Sequence, residues 1–445
     1  MSPEGHDGAK TFEILCDLCG LRVRTICEGS GEAGKYVVEF AGILDNLPSE
    51  ESETVRMFRA LVAPKNNAEL DRLAVRARAL TLQHFGRTMR LFAPLYLSNE
   101  CINSCRYCGF SRENPILRVT LSVDEVVKEA RHLAVVGFRQ LLLVAGEHPK
   151  FVSRDYLADC VRALRNDFSS ISIEVAPMET EDYVPIVEAG AEGLVVYQET
   201  YHRAVYDQLH LAGPKKDFAW RLACPERGYD AGFRRIGIGA LLGLAPWREE
   251  AIALAAHLEY LLKRCWKSSL TVSVPRLRPA AGEFRPHFPV NDRDLVHLVC
   301  ALRVAFPQVG IVLSTREPAA LRDLLIQVGV TMMSAGSHTE PGGYTGQGRE
   351  NIHRTVRGRI VPPEVAATSG SSRRDAAPDH PVPRFPDTVR AGRASKRVPP
   401  EDDNIAATAQ FEISDSRSPQ EIAAVLRRNG IEPVWKDWDA ALMER

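Results

Sequence analysis

Between residues 89 and 337 short apolar, β-branched runs alternate with longer amphipathic segments. The runs occupy 89–98 (MRLFAPLYLS), 139–147 (RQLLLVAGE), 170–177 (SISIEVAP), 193–200 (GLVVYQET), 235–244 (RIGIGALLGL), 270–279 (LTVSVPRLRP), 310–317 (GIVLSTRE) and 330–337 (VTMMSAGS). Each is nearly continuous in apolar character, as strands covered on both faces are, and successive runs lie far enough apart for a crossover helix. The spacers carry helix signals. In 122–137 Ser122 and Glu125 stand in capping-box relation, and Gly137 supplies a C-terminal stop. Eight such units predict an α/β fold, a (β/α)8 barrel of the TIM type, with a doubly wound open sheet as the alternative. Glu147, Glu199, Thr200, Arg278, Arg316 and Ser337 all fall at or near the C-terminal ends of their runs. That is the rim on which such barrels build active sites, and it favours the barrel.

The same pattern divides the chain. Residues 89–348 are the barrel, and 51–88 a helical extension in which 67–84 read as one amphipathic helix. Residues 1–50 are irregular and carry no assignable role. Residues 349–408 are rich in Pro, Arg, Ser and Ala, without an apolar period, and read as a disordered insert. Order returns in 409–445, a C-terminal extension expected to pack on the barrel through Trp435 and Trp438. Within it Ser418, Pro419 and Glu421 start a helix that Asn429 and Gly430 end.

Charge and composition narrow the classes. A formal net charge of -1 over 445 residues gives no electrostatic reason to expect nucleic acid or an acidic membrane as partner. No apolar stretch is long enough to span a bilayer, and the opening MSPEGHDGAK has no apolar signal core. A cytoplasmic protein is expected. Its 10 cysteines are then thiols or metal ligands rather than a disulfide framework. Cys160, Cys224, Cys265 and Cys300 stand among apolar neighbours and read as small buried hydrophobes. Cys16 and Cys19 could form half of a zinc site, but no local His or Cys pair completes it, and Cys27 has no clear role.

The stretch 99–115, NECINSCRYCGFSRENP, sets Cys101, Cys105 and Cys108 in C-x3-C-x2-C spacing on that same rim. A structural zinc site wants four protein ligands, whereas a [4Fe-4S] cube held by three thiolates keeps its fourth iron open for a small chelate.

This form, with Tyr107 before the last cysteine, resembles the radical S-adenosylmethionine (SAM) enzymes. The resemblance implies Cys101, Cys105 and Cys108 as ligands of a [4Fe-4S] cluster, SAM on the open iron, and Tyr107 as an aromatic near adenine. It also implies a 5'-deoxyadenosyl radical, made with an electron from a reduced flavodoxin or ferredoxin type donor. VAGEHP is similar to the family's glycine-glycine-glutamate stretch, which implies Gly146 and Glu147 at SAM's amino group; Ala145 departs from the first glycine. YQETY implies Glu199 on the ribose hydroxyls, and FAWRL implies Arg221 at SAM's carboxylate.

Within that superfamily the chain is similar to the aromatic amino-acid lyases, and among them to the 2-iminoacetate-forming tyrosine lyases of thiamine thiazole synthesis. The similar stretches include 85–110, LLLVAGEHPK, VVYQETYH, LHLAGPKKDFAWRL, LSTREP, MMSAGSHTEPGGY and QFEISDSRSPQEI. They run from about residue 55 to 439, outside the insert. The implied reaction removes a hydrogen from the amino group of L-tyrosine and splits Cα–Cβ to p-cresol and dehydroglycine. Arg316 is the expected fork for the substrate carboxylate, competing with a rim ion pair to Glu317, and Ser334 and Ser337 are the expected hydroxyl donors. Thiazole synthase is the implied protein partner. The related lyases of hydrogenase maturation carry a second cluster on C-terminal cysteines, and here no cysteine follows Cys300. A non-enzymatic iron-sulfur scaffold would need no SAM pocket, and Glu147, Glu199 and Arg221 weigh against it.

Overall fold

Each apolar run forms a strand: β1 Thr88–Ser98, β2 Gln140–Ala145, β3 Ser170–Glu174, β4 Gly193–Glu199, β5 Arg235–Ala240, β6 Ser269–Ser273, β7 Gly310–Leu313 and β8 Met332–Ser334. Every neighbouring pair is parallel, and β8 returns to β1 through Met332↔Arg90 and Ser334↔Phe92. The expected barrel is therefore closed. The computed structural model describes residues 10–15, 22–27, 36–39, 52–356, 359–362 and 406–435.

The helices are α1 Glu53–Val62, α2 Asn67–Phe85, α3 Val123–Val136, α4 Arg154–Leu164, α5 Thr180–Ala189, α6 Arg203–Leu209, α7 Phe218–Leu222, α8 Cys224–Ala231, α9 Trp247–Arg264, α10 Asp292–Ala305, α11 Ala319–Leu325 and α12 Pro419–Arg428. The capping boxes at Ser122–Glu125 and Ser418–Glu421 both form. Along β1 alternate side chains divide between two environments. Leu91, Ala93, Leu95 and Leu97 are buried against the helix layer, while Phe92, Pro94 and Tyr96 face the barrel interior. Cys160, Cys224, Cys265 and Cys300 are fully buried in the same core. No helix among the described residues is long and apolar enough to cross a membrane.

Three features add to the sequence pattern. Lys10–Leu15, Arg22–Cys27 and Tyr36–Glu39 pair as an antiparallel sheet within the segment expected to be irregular; Cys16 and Cys19 lie outside the described residues. Both flanks of 349–408 meet the loop after β1. His353 pairs with the backbone of Arg118, and Ile352 is buried with Val119 and Ala407; residues 363–405 lie outside the described residues. The C-terminal extension supplies a ninth strand, β9 Glu432–Val434, parallel to Thr88–Arg90 below the start of β2. Trp435 packs edge-on against Phe138 at 5.2 Å; Trp438 is outside the described residues.

What seats this extension is a buried ion pair. Asp415 is 1% exposed and Arg322 of α11 0%, and the two are hydrogen-bonded. Arg417 joins them, reaching Asp415 at 2.7 Å and Asp323 at 2.9 Å. Burial alone would raise the Asp415 carboxyl, but these two guanidinium groups hold it below its usual range. Its stabilisation is therefore present at neutral pH and lost as pH falls through the folded-state value. Asp415→Ala leaves the Arg322 charge buried and unpaired, and should cost about 3–5 kcal/mol in chemical denaturation at neutral pH. An unchanged denaturation midpoint would remove the pair from this role.

Candidate active site

The loop after β1 is fixed from three sides, which sets where its thiols stand. Arg118, 2% exposed, donates to the carbonyls of Asn99 at 2.6 Å, Phe110 at 3.2 Å and Ser111 at 2.8 Å, so one guanidinium ties both ends of the loop together. Asn114 donates to the carbonyls of Cys108, Gly109 and Ala281, each at 3.0 Å. The backbone N–H of Cys105 reaches Ser111 Oγ at 3.2 Å. On the third side a Cβ at Gly146 would stand 2.2 Å from the carbonyl oxygen of Glu100 and 3.4 Å from the Cβ of Cys101. The glycine is required by this close approach of β2's end to the loop.

The three thiols are free. Side-chain amides approach two of them: Asn103 Nδ2 lies 3.8 Å from Cys101 Sγ, and Gln410 Nε2 lies 4.0 Å from Cys108 Sγ. Burial pushes Cys101 up to about 11, helped by the Glu147 carboxylate, and pushes Cys105 well above its usual range. Both are protonated at neutral pH, so loading a thiophilic centre must release protons. No group of three or more His, Cys, Asp or Glu among the described residues is arranged to hold a single metal ion. A [4Fe-4S] cube does not need such convergence, because each thiolate takes its own iron. Three thiols on one braced loop, with no fourth beside them among the described residues, fit that group.

Beside the loop lies a network of charges. Arg221 of α7 donates to Glu147 Oε1 at 2.8 Å and to the carbonyl of Tyr197 at 2.7 Å, and lies 3.9 Å from Glu199. Lys215 reaches Glu199 at 2.7 Å. Asn103 of the thiol loop closes the set, donating to Glu147 Oε2 at 2.7 Å and accepting from the Lys215 backbone at 2.9 Å. Burial would raise both carboxyls, yet Arg221 and Lys215 hold Glu147 and Glu199 below their usual range. Lys215 is raised, the Glu199 carboxylate and its anionic neighbours outweighing burial and Arg221. Glu199 has a left-handed backbone, φ 71°. The turn that follows is pinned by the buried carboxylate of Glu250, which accepts from Thr200 Oγ1 and from the N–H of Tyr201. Thr200 is thus committed to Glu250. Tyr107 donates to His210 Nε2 at 2.8 Å, while His210 Nδ1 donates to the Tyr206 carbonyl at 2.8 Å. Burial and Lys215 push His210 down to about 3, so the imidazole is neutral and accepts from the phenol.

Tyr107, Cys108, Glu199, Lys215, Arg316, Ser334 and Ser337 face one cavity at the barrel mouth. Glu147, Gly146 and Arg221 line an adjoining recess that shares Lys215 with it. Arg316 does not pair with Glu317, which is taken by Arg276 at 2.9 Å; its guanidinium lies 3.4 Å over the ring of Phe411. Ser337 Oγ is buried without a partner among the described residues, whereas Ser334 Oγ accepts from the Thr315 backbone at 3.2 Å. Arg278 also faces the cavity, its Nε buried without a partner.

The cavity includes residues that the sequence pattern left unmarked. Tyr96, Glu174 and Tyr197 enter it from β1, β3 and β4, and Gln410 and Phe411 enter from the C-terminal extension. Tyr96 donates to Gln410 at 2.8 Å. Alternate positions face the interior, the even ones of β1 and β3 and the odd ones of β4, a signal the sequence does contain; the return of 410–411 to the mouth has no local signal.

Residues 95–255 match the family model of the Radical SAM superfamily, and residues 273–432 that of the Biotin and Thiamin Synthesis associated domain. Closed barrel, three-thiol loop and charged rim together define a radical SAM enzyme. The chain is 38% identical to the 2-iminoacetate synthase of Escherichia coli K12 over 384 residues, 86% of this chain and 87% of that protein. The Salmonella typhimurium LT2 protein of the same name matches to the same extent. The chain belongs to the 2-iminoacetate synthase family. Among solved structures, the FeFe-hydrogenase maturase HydG of Carboxydothermus hydrogenoformans superposes with a TM-score of 0.68 at 33% identity, covering 85% of this chain and 75% of that one.

Gly146→Ala forces the Glu100–Cys101 backbone to move and should sharply lower iron and sulfide per chain after anaerobic reconstitution, with the barrel's circular dichroism retained. Full cluster content in that variant would show that the close approach is dispensable.

Proposed function

We propose that the protein cleaves the Cα–Cβ bond of L-tyrosine, giving 2-iminoacetate and p-cresol, for thiamine thiazole synthesis. The observation that carries this reading is the juxtaposition, in one cavity, of the thiol loop at Cys108 and the Arg316 guanidinium, which has no acidic partner among the described residues. A fork of that kind, stiffened by stacking on Phe411, matches the carboxylate of an amino acid bidentately.

Cys101, Cys105 and Cys108 would hold a [4Fe-4S] cluster. When bound, the cluster and SAM supply a carbon radical able to remove a hydrogen atom. Gly146, Glu147 and Arg221 are assigned to the amino-acid end of SAM, Glu199 to its ribose and Tyr107 to its adenine. The salt-linked network of Glu147, Arg221, Glu199 and Lys215 keeps these groups charged and oriented beneath the loop. Arg316 clamps the tyrosine carboxylate, with Ser337 and Ser334 as hydroxyl partners; the free Ser337 Oγ supports its share of that role.

The imine product is quickly hydrolysed by water, so a mouth walled by Gln410 and Phe411 protects it. The same lability supports delivery to a consuming enzyme, and thiazole synthase is the proposed partner. A reduced flavodoxin or ferredoxin type protein is the proposed electron donor, and the cytoplasm the proposed location.

Anaerobically reconstituted, dithionite-reduced protein given SAM and L-tyrosine is expected to form 5'-deoxyadenosine, p-cresol and, after hydrolysis, glyoxylate. Formation of 5'-deoxyadenosine without p-cresol would retain the radical chemistry and reject the substrate. Arg316→Lys keeps the charge but loses the fork, and should weaken use of tyrosine by about 10- to 100-fold with cluster content unchanged.

A further inference from the structure

The charges facing the mouth fall into two sets. Glu147, Glu199, Lys215 and Arg221 are paired among themselves. Glu174 and Arg316 face the cavity with no hydrogen bond or ion pair to either side chain among the described residues. The remaining cation, Arg278, lies beside Glu317, Arg276, Arg316 and Glu412. Tyr96 donates to Gln410, so that phenol does not serve the Glu174 carboxylate.

We propose that Glu174 receives the α-ammonium group of the bound amino acid and takes one of its protons, while Arg316 holds the carboxylate. The proposal rests on the tyrosine reading and specifies how its amine is prepared. One guanidinium and one carboxylate left over in a single cavity complement the two ends of a zwitterion. Tyrosine also carries a phenol, but position favours the amine. The charges acting on Glu174 most strongly are Glu199 and then Arg316. It ends β3 next to β4, whose end carries Glu199, and it lines one cavity with Glu199 and the Arg316 clamp. The amino group is attached to the carbon bearing that carboxylate, whereas the phenol oxygen is at the far end of the side chain.

The transfer converts the ammonium and the Glu174 carboxylate into a neutral amine and a carboxylic acid, and no other bond changes. Loss of a hydrogen atom from a neutral amine leaves the radical on an uncharged nitrogen, whereas loss from an ammonium would leave it on a cation. The groups facing Glu174 are Tyr96 on β1, Tyr197 and Glu199 on β4, Lys215 and Arg221 from the segment after β4, and Arg316 after β7. Burial and Glu199 push its carboxyl up to about 7, with the three cations acting the other way. Below that value Glu174 already carries a proton and cannot take another, so competence rises as pH increases through it.

The test compares wild type, Glu174→Gln and Glu174→Asp as reconstituted holoenzymes at saturating SAM. L-tyrosine and its deaminated analogue 3-(4-hydroxyphenyl)propanoate serve as ligands. Wild-type p-cresol formation should rise through about pH 7 and then level. Glu174→Gln should fall by roughly 100-fold or more at neutral pH and recover as pH approaches the range of the amine itself. Wild type should prefer tyrosine to the deaminated analogue by at least about tenfold in dissociation constant, and Glu174→Gln should lose that preference without losing affinity for the analogue or for SAM. Glu174→Asp should keep the wild-type pH profile at a lower rate, which a merely structural role would not produce. Undiminished p-cresol from Glu174→Gln at neutral pH, or an equal loss of affinity for both ligands, overturns the assignment alone. Absence of p-cresol from wild type, with 5'-deoxyadenosine still formed, overturns the tyrosine reading and this inference with it.

Discussion

Closure of the sheet between Met332–Ser334 and Arg90–Phe92 is the constraint on which the site depends. In an open sheet the first and last strands would stand at opposite edges, and the loop after β1 could not face the loops after β7 and β8. With the ring closed, Cys108 and Arg316, more than two hundred positions apart in the sequence, line one cavity. The chemistry proposed here requires that adjacency: a radical source and a carboxylate clamp must share a mouth small enough to hold one amino acid between them. Barrel geometry delivers this without any local interaction between the two segments.

The second requirement is that charge in this mouth be settled before substrate arrives. Glu147, Glu199, Lys215 and Arg221 form a neutral set of two acids and two bases, each oriented by another member or by Asn103. Pairing of this kind offsets the desolvation that burial imposes on each ion. It also holds Glu199 in a backbone conformation that side chains disfavour by on the order of 1–3 kcal/mol, with Glu250 bracing the turn behind it. The result is a rim whose polar groups need little rearrangement to meet a ligand.

Much of this was legible in the sequence because its signals are local. Eight apolar runs, the capping boxes at Ser122 and Ser418, and three cysteines in eight residues each state their own structure, and each is found where expected. Glu174 was not legible in the same way. It ends a strand with Ile173 and Val175 on either side, and only the direction of alternation reveals that it enters the cavity rather than the helix layer. Lys215 and Gln410 were hidden for a different reason. Their partners, Glu199 and Tyr96, are brought to them by the closed barrel and the docked extension. The N-terminal strands and β9 are short pairings decided by what lies beside them, a quantity that no window of sequence contains.

The docking of the C-terminal extension links completion of the chain to completion of the cavity. A ribosome finishes the last barrel strand at residue 334 well before it makes Gln410 and Phe411, the residues that wall the mouth beside Cys108. Asp415 on Arg322 seats the extension that carries Gln410 and Phe411, so this wall of the mouth is added to a barrel whose strands are already made. One carboxylate–guanidinium contact thus decides when the mouth is finished, because the wall beside Cys108 arrives with the extension and not with the barrel.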